Sequence, residues 1–347
     1  MAAAKCEGNV TKNLCNENPN KKLKFTADED SIDLKNSEME MIPILADDYT
    51  RNCNLVLVYV AEITEKRETS KIVKNLQELY PLVDLQHLKR VKCDQGVLKI
   101  IICTLEDATM KNLDGNETTD TKSLLSDING LSHCVTLQKV PGSVPLTRPQ
   151  YEFGVKFWPL QFHENKHIAR LLNGTLFTSE ESNLHIYFME QAIKKAKTTS
   201  EKQQVMVGAV IVDPQLGKII GEGFDRRYSH PLQHAVMVAI DDVAAAQGGG
   251  CWKLNDKEIH TEIYASQKSP DKIPYLCTNF DLYVTREPCL MCSMALIHSR
   301  IRRVFYGCRQ ENGCLGTLTK LHVEPNLNHH FEVFKARDLR GSINLIY

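Results

Sequence analysis

Hydrophobic positions become regular only after about residue 50, and the first 48 residues contain few of them. Asn, Lys, Asp, Glu and Ser are frequent in residues 1–48, which show neither a helical nor a strand period. A segment that cannot bury apolar surface does not compensate the entropy lost on ordering. We therefore predict a flexible tail over residues 1–48.

The pattern from residue 49 to residue 142 predicts a small α+β domain. Residues 55–60 form a continuous apolar run of strand length, and residues 64–80 place apolar side chains on one helical face that Pro81 ends. Two strands are predicted over 85–92 and 97–105, a short helix over 121–128 and a last strand over 134–140. The order β-α-β-β-α-β is that of ferredoxin-like domains.

A second domain is predicted over residues 179–347, after a connector over 143–178 that begins with closely spaced prolines. The sequence Thr178-Ser-Glu-Glu181 has capping-box spacing and opens a helix to about residue 197. Strands over 205–212, 218–224, 280–285 and 303–307 then alternate with helices over 233–247 and 289–299, and a long irregular insertion occupies 248–279. This alternation predicts a three-layer α/β/α domain with a partly parallel sheet.

Composition excludes several classes of protein. The chain has 347 residues, 42% hydrophobic and 24% charged, with a formal net charge of -1, which are ordinary globular values. No apolar run reaches the length of a transmembrane helix, and the start does not read as a secretory signal, so we expect no membrane association and no secretion. The twelve cysteines then read as reduced thiols. Any nucleic-acid binding must come from local basic patches.

The pair Cys289 and Cys292 has metal-ligand spacing. It follows Pro288 where a strand leads into a helix, and the N-terminus of a helix favours thiolates, the metal-binding form of cysteine. His234 stands at the start of the preceding helix. A His/Cys/Cys set can bind zinc tetrahedrally and leave one position open. The alternative is that the two cysteines are unligated core residues.

These residues belong to a longer resemblance. Two segments resemble the H-x-E and P-C-x-x-C signature of zinc nucleobase deaminases. They are His234-Ala235 and Pro288-Cys-Leu-Met-Cys-Ser-Met-Ala295. The segments 207–212, 221–223, 298–301, 303–307 and 327–329 resemble those of tRNA adenosine deaminases in the same order. The resemblance covers roughly residues 180–335 and implies a cytidine-deaminase-like fold.

One position departs from the signature. The family's catalytic glutamate follows two residues after the histidine, where this chain has Val236. Valine cannot carry the proton that general acid–base catalysis moves, and such catalysis contributes roughly 10²–10⁴-fold. Asp241 and Asp242 lie about two turns further along the predicted helix, which places them outside the pocket. No catalytic residue is therefore expected in this chain.

The His-Ala-Val variant behind an extra N-terminal domain resembles the non-catalytic subunits of eukaryotic heterodimeric tRNA wobble-adenosine deaminases. The resemblance implies a catalytic partner with an intact His-Ala-Glu motif, and together the two subunits would convert adenosine to inosine at the first anticodon position, a hydrolysis of an amidine C–N bond. It implies a structural zinc held by His234, Cys289 and Cys292. It also implies a first domain that holds the tRNA, and an intracellular location in nucleus and cytoplasm.

Two basic clusters are candidates for RNA contacts. Lys89, Arg90 and Lys92 fall on the predicted central strands of the first domain, and Arg300, Arg302 and Arg303 follow the cysteine helix. For the first cluster a solvated charged face is an equal alternative.

Two other functions remain open at this stage. The chain could be a stand-alone zinc deaminase with an unconventional proton carrier, which turnover by the purified chain would reveal. It could instead be a non-enzymatic RNA-binding scaffold with a deaminase fold, in which case no deaminase would co-purify with it.

Overall fold

The computed structural model describes residues 39–111, 128–197, 206–252 and 274–338. Residues 1–38 of the predicted tail, residues 121–127 of a predicted helix and residues 253–273 of the predicted insertion lie outside this part of the chain. The described residues form one six-stranded and one four-stranded sheet with seven α-helices. None of these helices is long and apolar enough to span a membrane.

The six-stranded sheet has the order β1-β10-β9-β8-β6-β7. Its strands are β1 (Met39–Pro43), β6 (Gly208–Asp213), β7 (Lys218–Phe224), β8 (Asp281–Arg286), β9 (Arg303–Cys308) and β10 (Glu332–Asp338). Strands β8, β9 and β10 run parallel, while β6, β7 and β1 join antiparallel. The sheet is therefore partly parallel, as predicted.

Helices cover both faces of this sheet because its strands are apolar on both sides. On one face, α6 (Ala235–Ala246) and α7 (Leu290–His298) pack in a core that includes Leu282 and Val284 of β8. On the other face, α5 (Ser179–Lys197) packs in a core that includes Tyr283. The α5 helix begins at the predicted capping box, with Glu181 and Thr178 bonded to each other's backbone amides. The predicted three-layer arrangement is confirmed.

A glycine on β7 allows α6 to lie close to the sheet. A Cβ atom added at Gly223 would stand 2.2 Å from the carbonyl oxygen of Ala235, in the first turn of α6. Any other residue here would push that turn away from the sheet. The glycine therefore fixes where the helix starts.

The prediction of a flexible tail to residue 48 is wrong for residues 39–43. These form β1, which pairs antiparallel with β10 at the edge of the six-stranded sheet. Behind β1, Lys320 donates a hydrogen bond to the carbonyl of Leu45, and His322 Nε2 lies 2.8 Å from the carbonyl oxygen of Ile44. The segment before the first domain is therefore built into the second.

The four-stranded sheet has the order β3-β4-β2-β5, and all its neighbours are antiparallel. Its elements are β2 (Leu55–Ile63), α1 (Thr69–Leu79), β3 (Val91–Asp94), β4 (Val97–Thr104), α2 (Leu105–Lys111) and β5 (Leu131–Pro141). The four strands and the first helix follow the predicted order. The helix predicted over 121–128 lies outside the described residues except for residue 128, whereas α2 occupies a segment where the end of a strand and a loop were predicted. The ferredoxin-like assignment stays a prediction. The strand predicted over 85–92 begins only at Val91. Leu85 and Leu88 belong to an irregular segment before it, and their side chains are nevertheless buried in the core.

The connector contains two short helices, α3 (Arg148–Gly154) and α4 (Lys166–Leu172). Trp158, between them, is fully buried, and its indole nitrogen donates a hydrogen bond to the carbonyl of Lys89. The backbone of Leu160 bridges to Leu88. The connector is thus anchored on the four-stranded sheet. The four predicted ranges, 1–48, 49–142, 143–178 and 179–347, stay predictions, apart from the correction at residues 39–43.

Candidate metal centre

The three predicted metal ligands lie together. The ligand atoms of His234, Cys289 and Cys292 are all within 4.8 Å of one another, and the Sγ atom of Cys289 is 3.6 Å from Nδ1 of His234. No other group of three His, Cys, Asp or Glu side chains in the described residues meets this condition. The sequence motif therefore becomes a three-dimensional donor set.

Two helix starts position these side chains. His234 is the N-cap residue of α6 and Cys289 that of α7, both with extended backbone. Pro288 lies between the end of β8 at Arg286 and the N-cap residue Cys289, where the chain passes from the strand into the helix. Cys292, in the first turn of α7, returns to the same side as Cys289.

The donor set fits tetrahedral zinc. Zinc bond lengths of about 2.05 Å to nitrogen and about 2.3 Å to sulfur place the two atoms about 3.6 Å apart in a tetrahedron. This matches the separation between His234 and Cys289. One imidazole and two thiolates form a borderline-soft set that suits zinc.

A hydrogen bond between the two cysteine side chains shifts their pKa values in opposite directions. The hydrogen bond from Cys292 lowers the pKa of Cys289 to about 5, and it raises the pKa of Cys292, which burial raises further. Cys289 is therefore a thiolate at neutral pH, ready to bind a cation. A metal ion would displace the second proton, because only deprotonated ligands coordinate it.

Val236 stands inside the core. Its side chain is 3% exposed and belongs to the apolar cluster that also contains Cys292 and Val284. The family's catalytic position is therefore filled by a packed hydrocarbon side chain next to an intact ligand set.

The two nearby carboxylates predicted to lie outside the pocket have other partners. Asp241 accepts hydrogen bonds from the backbone amides of Cys251 and Trp252, and Asp242 accepts one from the amide of Glu222. Both side chains are buried. These hydrogen bonds hold neighbouring segments of the backbone against α6. They argue against Asp241 or Asp242 as a replacement proton carrier.

Sequence reasoning missed three charged groups beside the candidate metal ligands. Arg227 donates to both carboxylate oxygens of the buried Asp225, at 2.8–3.0 Å, which is the main reason for its raised pKa. Negative charge on Cys289 and Cys292 raises the pKa of Arg227 further. The third missed group, Glu287, is two residues before Cys289 and is 1% exposed. The tripeptide Asp225-Arg-Arg227 alone carried no recognisable signal.

The basic residues after α7 are engaged within the chain. Arg302 and Arg303 both pair with the buried Asp281, at 2.8 and 2.7 Å. Arg303 also lies over the rings of Phe177 and Phe305. Arg300 has φ of 63° and donates to the carbonyl of Asn328. A role in RNA binding stays a prediction for all three, with fewer free donors than the sequence indicated.

The basic residues of the first domain differ in how far contacts within the chain engage them. Arg90 donates to the carbonyls of Tyr80, Ile101 and Ile102, and burial lowers its pKa to about 10. Lys92 lies over the ring of Trp158, 5.7 Å from its centre. Lys89 has an exposed side chain. Of the three predicted RNA-binding residues, Lys89 is the one most available to a phosphate.

Two family descriptions match the chain. "tRNA-specific adenosine deaminase TAD3 N-terminal domain" matches residues 56–158, and "Cytidine and deoxycytidylate deaminase zinc-binding region" matches residues 182–308. The first covers the four-stranded sheet and the second the metal centre.

Curated relatives match over most of their length. The "Probable inactive tRNA-specific adenosine deaminase-like protein 3" of Danio rerio is 43% identical over 86% of this chain and 91% of its own. The human protein of the same description is 36% identical, over 86% and 89%. The "tRNA-specific adenosine deaminase subunit TAD3" of Saccharomyces cerevisiae is 30% identical, over 78% and 80%. A solved structure from a study of tRNA:A34 deaminases aligns at 26% identity over 43% of this chain and 97% of its own, with a TM-score of 0.33.

Proposed function

This chain belongs to the family of the tRNA-specific adenosine deaminase subunit TAD3, and we propose that it is the non-catalytic, zinc-binding and tRNA-positioning subunit of a heterodimeric tRNA adenosine deaminase. The reaction is the conversion of adenosine to inosine at the first anticodon position. The catalytic carboxylate belongs to the partner, which carries the intact His-Ala-Glu motif.

The observation that carries this proposal is the buried Val236 beside a complete ligand set. Deamination needs a group that takes a proton from water and returns it to the base and to the leaving ammonia. A valine at this position offers no such group, and Asp241 and Asp242 are bonded to backbone amides. The vertebrate relatives described as probable inactive agree with this interpretation.

In this subunit zinc has a structural role. In zinc deaminases the bound ion activates a water molecule for attack on the base. Here His234 joins the start of α6 to the two cysteines at the start of α7, so ligation would hold the two helices in one arrangement. Metal-binding free energy of this kind is coupled to folding.

The accessible side chains of α6 and α7 are evidence for a partner subunit. Neither α6 nor α7 has an exposed Asp, Glu, Lys or Arg, whereas Met237, Ile240, Met291 and Met294 are partly accessible and Leu290 is 55% exposed. On the opposite face, α5 exposes Glu180, Glu181, Lys194 and Lys197 to solvent. A helix layer without charge is typical of a buried layer. We place the partner's deaminase domain on α6 and α7.

The first domain, in this proposal, holds the body of the tRNA. Lys89 is exposed on this domain. Four further basic residues lie just before α1 or within it: Lys66, Arg67, Lys71 and Lys74. Contacts with phosphates far from the anticodon would use remote binding energy to position the reacting base. The proposal includes a location in nucleus and cytoplasm, which fractionation of cells would test.

The experiment is co-expression of this chain with candidate partners, followed by an inosine assay. We expect inosine on whole tRNA only with both subunits, and a much lower rate on an isolated anticodon stem-loop. Inosine formation by this chain alone would contradict the proposal, and equal rates on both substrates would remove the tRNA-holding role.

A further inference from the structure

The carboxylate of Glu287 is almost completely buried and accepts three hydrogen bonds. The backbone amides of Leu315 and Thr317 both donate to Oε1, at 3.0 Å, and the hydroxyl of Thr317 donates to Oε2. All three donors come from one loop, residues 313–317, which we name the bracket loop. A buried carboxylate with this many donors is held firmly in one place.

The bracket loop also contacts the ligand segment directly. Gly313 forms a backbone bridge with Cys289, and the amide of Cys314 donates to the carbonyl of Pro288 at 2.9 Å. A Cβ atom at Gly313 would stand 2.2 Å from the carboxyl carbon of Glu287, so only glycine fits between the bridge and the carboxylate. Residues 287–289 and the bracket loop are thus joined at three successive positions.

We propose that Glu287 is a positioning residue for the metal centre, which fixes the backbone of Cys289 by fastening the bracket loop to it. Glu287 is not one of the three candidate ligands. It holds the loop that pairs with Cys289, so the sulfur keeps the separation from His234 that tetrahedral zinc requires. Groups outside the first coordination sphere commonly change metal affinity by roughly 10–100-fold when they are removed.

The arrangement of donors distinguishes the substitutions at this position. Both amides donate to Oε1, so Glu287→Gln keeps an acceptor for them, and its new NH₂ group can donate to the hydroxyl of Thr317. Glu287→Leu has a similar volume but leaves the buried amide of Leu315, and the amide and hydroxyl of Thr317, without their protein acceptor. Thr317→Val removes only the hydroxyl donor.

The test uses the purified full-length chain loaded with Co²⁺ or Zn²⁺. We expect Glu287→Leu to release the metal to a chelator about 10–100-fold faster than the parent, and to weaken and shift the Co²⁺ thiolate absorption bands. Glu287→Gln should restore parental release and spectrum. Thr317→Val should fall between the two, and it serves if Glu287→Leu fails to fold.

The matched control is Asp242→Leu, which removes another buried carboxylate that accepts a backbone amide in the same domain. Release from Glu287→Leu and Thr317→Val at the parental rate, or equally fast release from Asp242→Leu, would overturn the positioning role. The inference rests on the zinc-binding part of the proposed function. A parent chain that binds neither metal would refute that function itself, whereas a metal-bound parent with unaffected Glu287 variants would refute only this inference.

Discussion

Two positions at the start of α6 have opposite environments. His234 is half-buried and lies within reach of two sulfurs, whereas Val236, two residues later, is enclosed by apolar side chains. Ligands need only the right donors at the right separation. A proton carrier needs in addition an open path to solvent and substrate. The difference teaches that a deaminase domain can keep its metal geometry after losing its acid–base chemistry.

Removal of a metal ligand should have the largest effect on this comparison. We expect His234→Ala, Cys289→Ser or Cys292→Ser to reduce zinc content, yield and assembly with the partner together, because zinc ligation and folding are coupled. Zinc measured by mass spectrometry and complex yield measured by gel filtration check this. A zinc-free variant that still folds and assembles normally would show that the triad has no structural role.

The grouping of His234, Cys289 and Cys292 was predictable because all three stand at helix starts and the two cysteines have the spacing of metal ligands. Contacts that join distant residues left no comparable signal. Met39 pairs with Asp338 across almost the whole chain, and five residues of mixed polarity gave no indication of a strand. The sequence likewise showed that Arg90, Arg302 and Arg303 are charged, but not that three carbonyls and one buried carboxylate engage them. Charge patterns predict a cation, and only the fold reveals its partner.

Acid should destabilise the fold through an imidazole that is buried outside the candidate metal centre. Burial lowers the pKa of His322 to about 4, so the folded state keeps this ring neutral while the unfolded chain binds a proton below about 6.5. Stability should therefore fall as the pH drops from about 6.5 to 4, by up to about 1.4 kcal/mol per pH unit from this residue.

Denaturant unfolding at several pH values checks this, with His322→Gln as the variant that cannot titrate. Its stability should depend less on pH over this window than that of the parent. Equal pH dependence in both proteins would assign the acid sensitivity to other groups.

A small truncation at Val236 tests how firmly this position is packed. Val236→Ala should cost on the order of 2 kcal/mol of unfolding free energy, because it leaves a cavity in the core. The zinc content should not change. Thermal unfolding with metal analysis measures both, and zinc loss in this variant would show that packing at Val236 supports the ligands.

The smallest expected effect is in RNA binding. Lys89→Ala should weaken tRNA binding slightly and reduce the slope of log K against log salt by about one phosphate contact. Arg90→Ala should instead lower stability, because its three carbonyl acceptors would lose their donor. Filter binding over a range of salt concentrations separates the two. An unchanged slope in Lys89→Ala would remove this residue from the RNA path.

The most direct test replaces the two equivalent positions of the heterodimer by alanine, one at a time. Two zinc-loaded heterodimers are compared in the inosine assay, one with Val236→Ala in this chain and one with the motif glutamate of the partner replaced by alanine. We expect activity close to that of the parent in the first complex and none in the second. Full loss of activity from a stable, zinc-loaded Val236→Ala complex would contradict it.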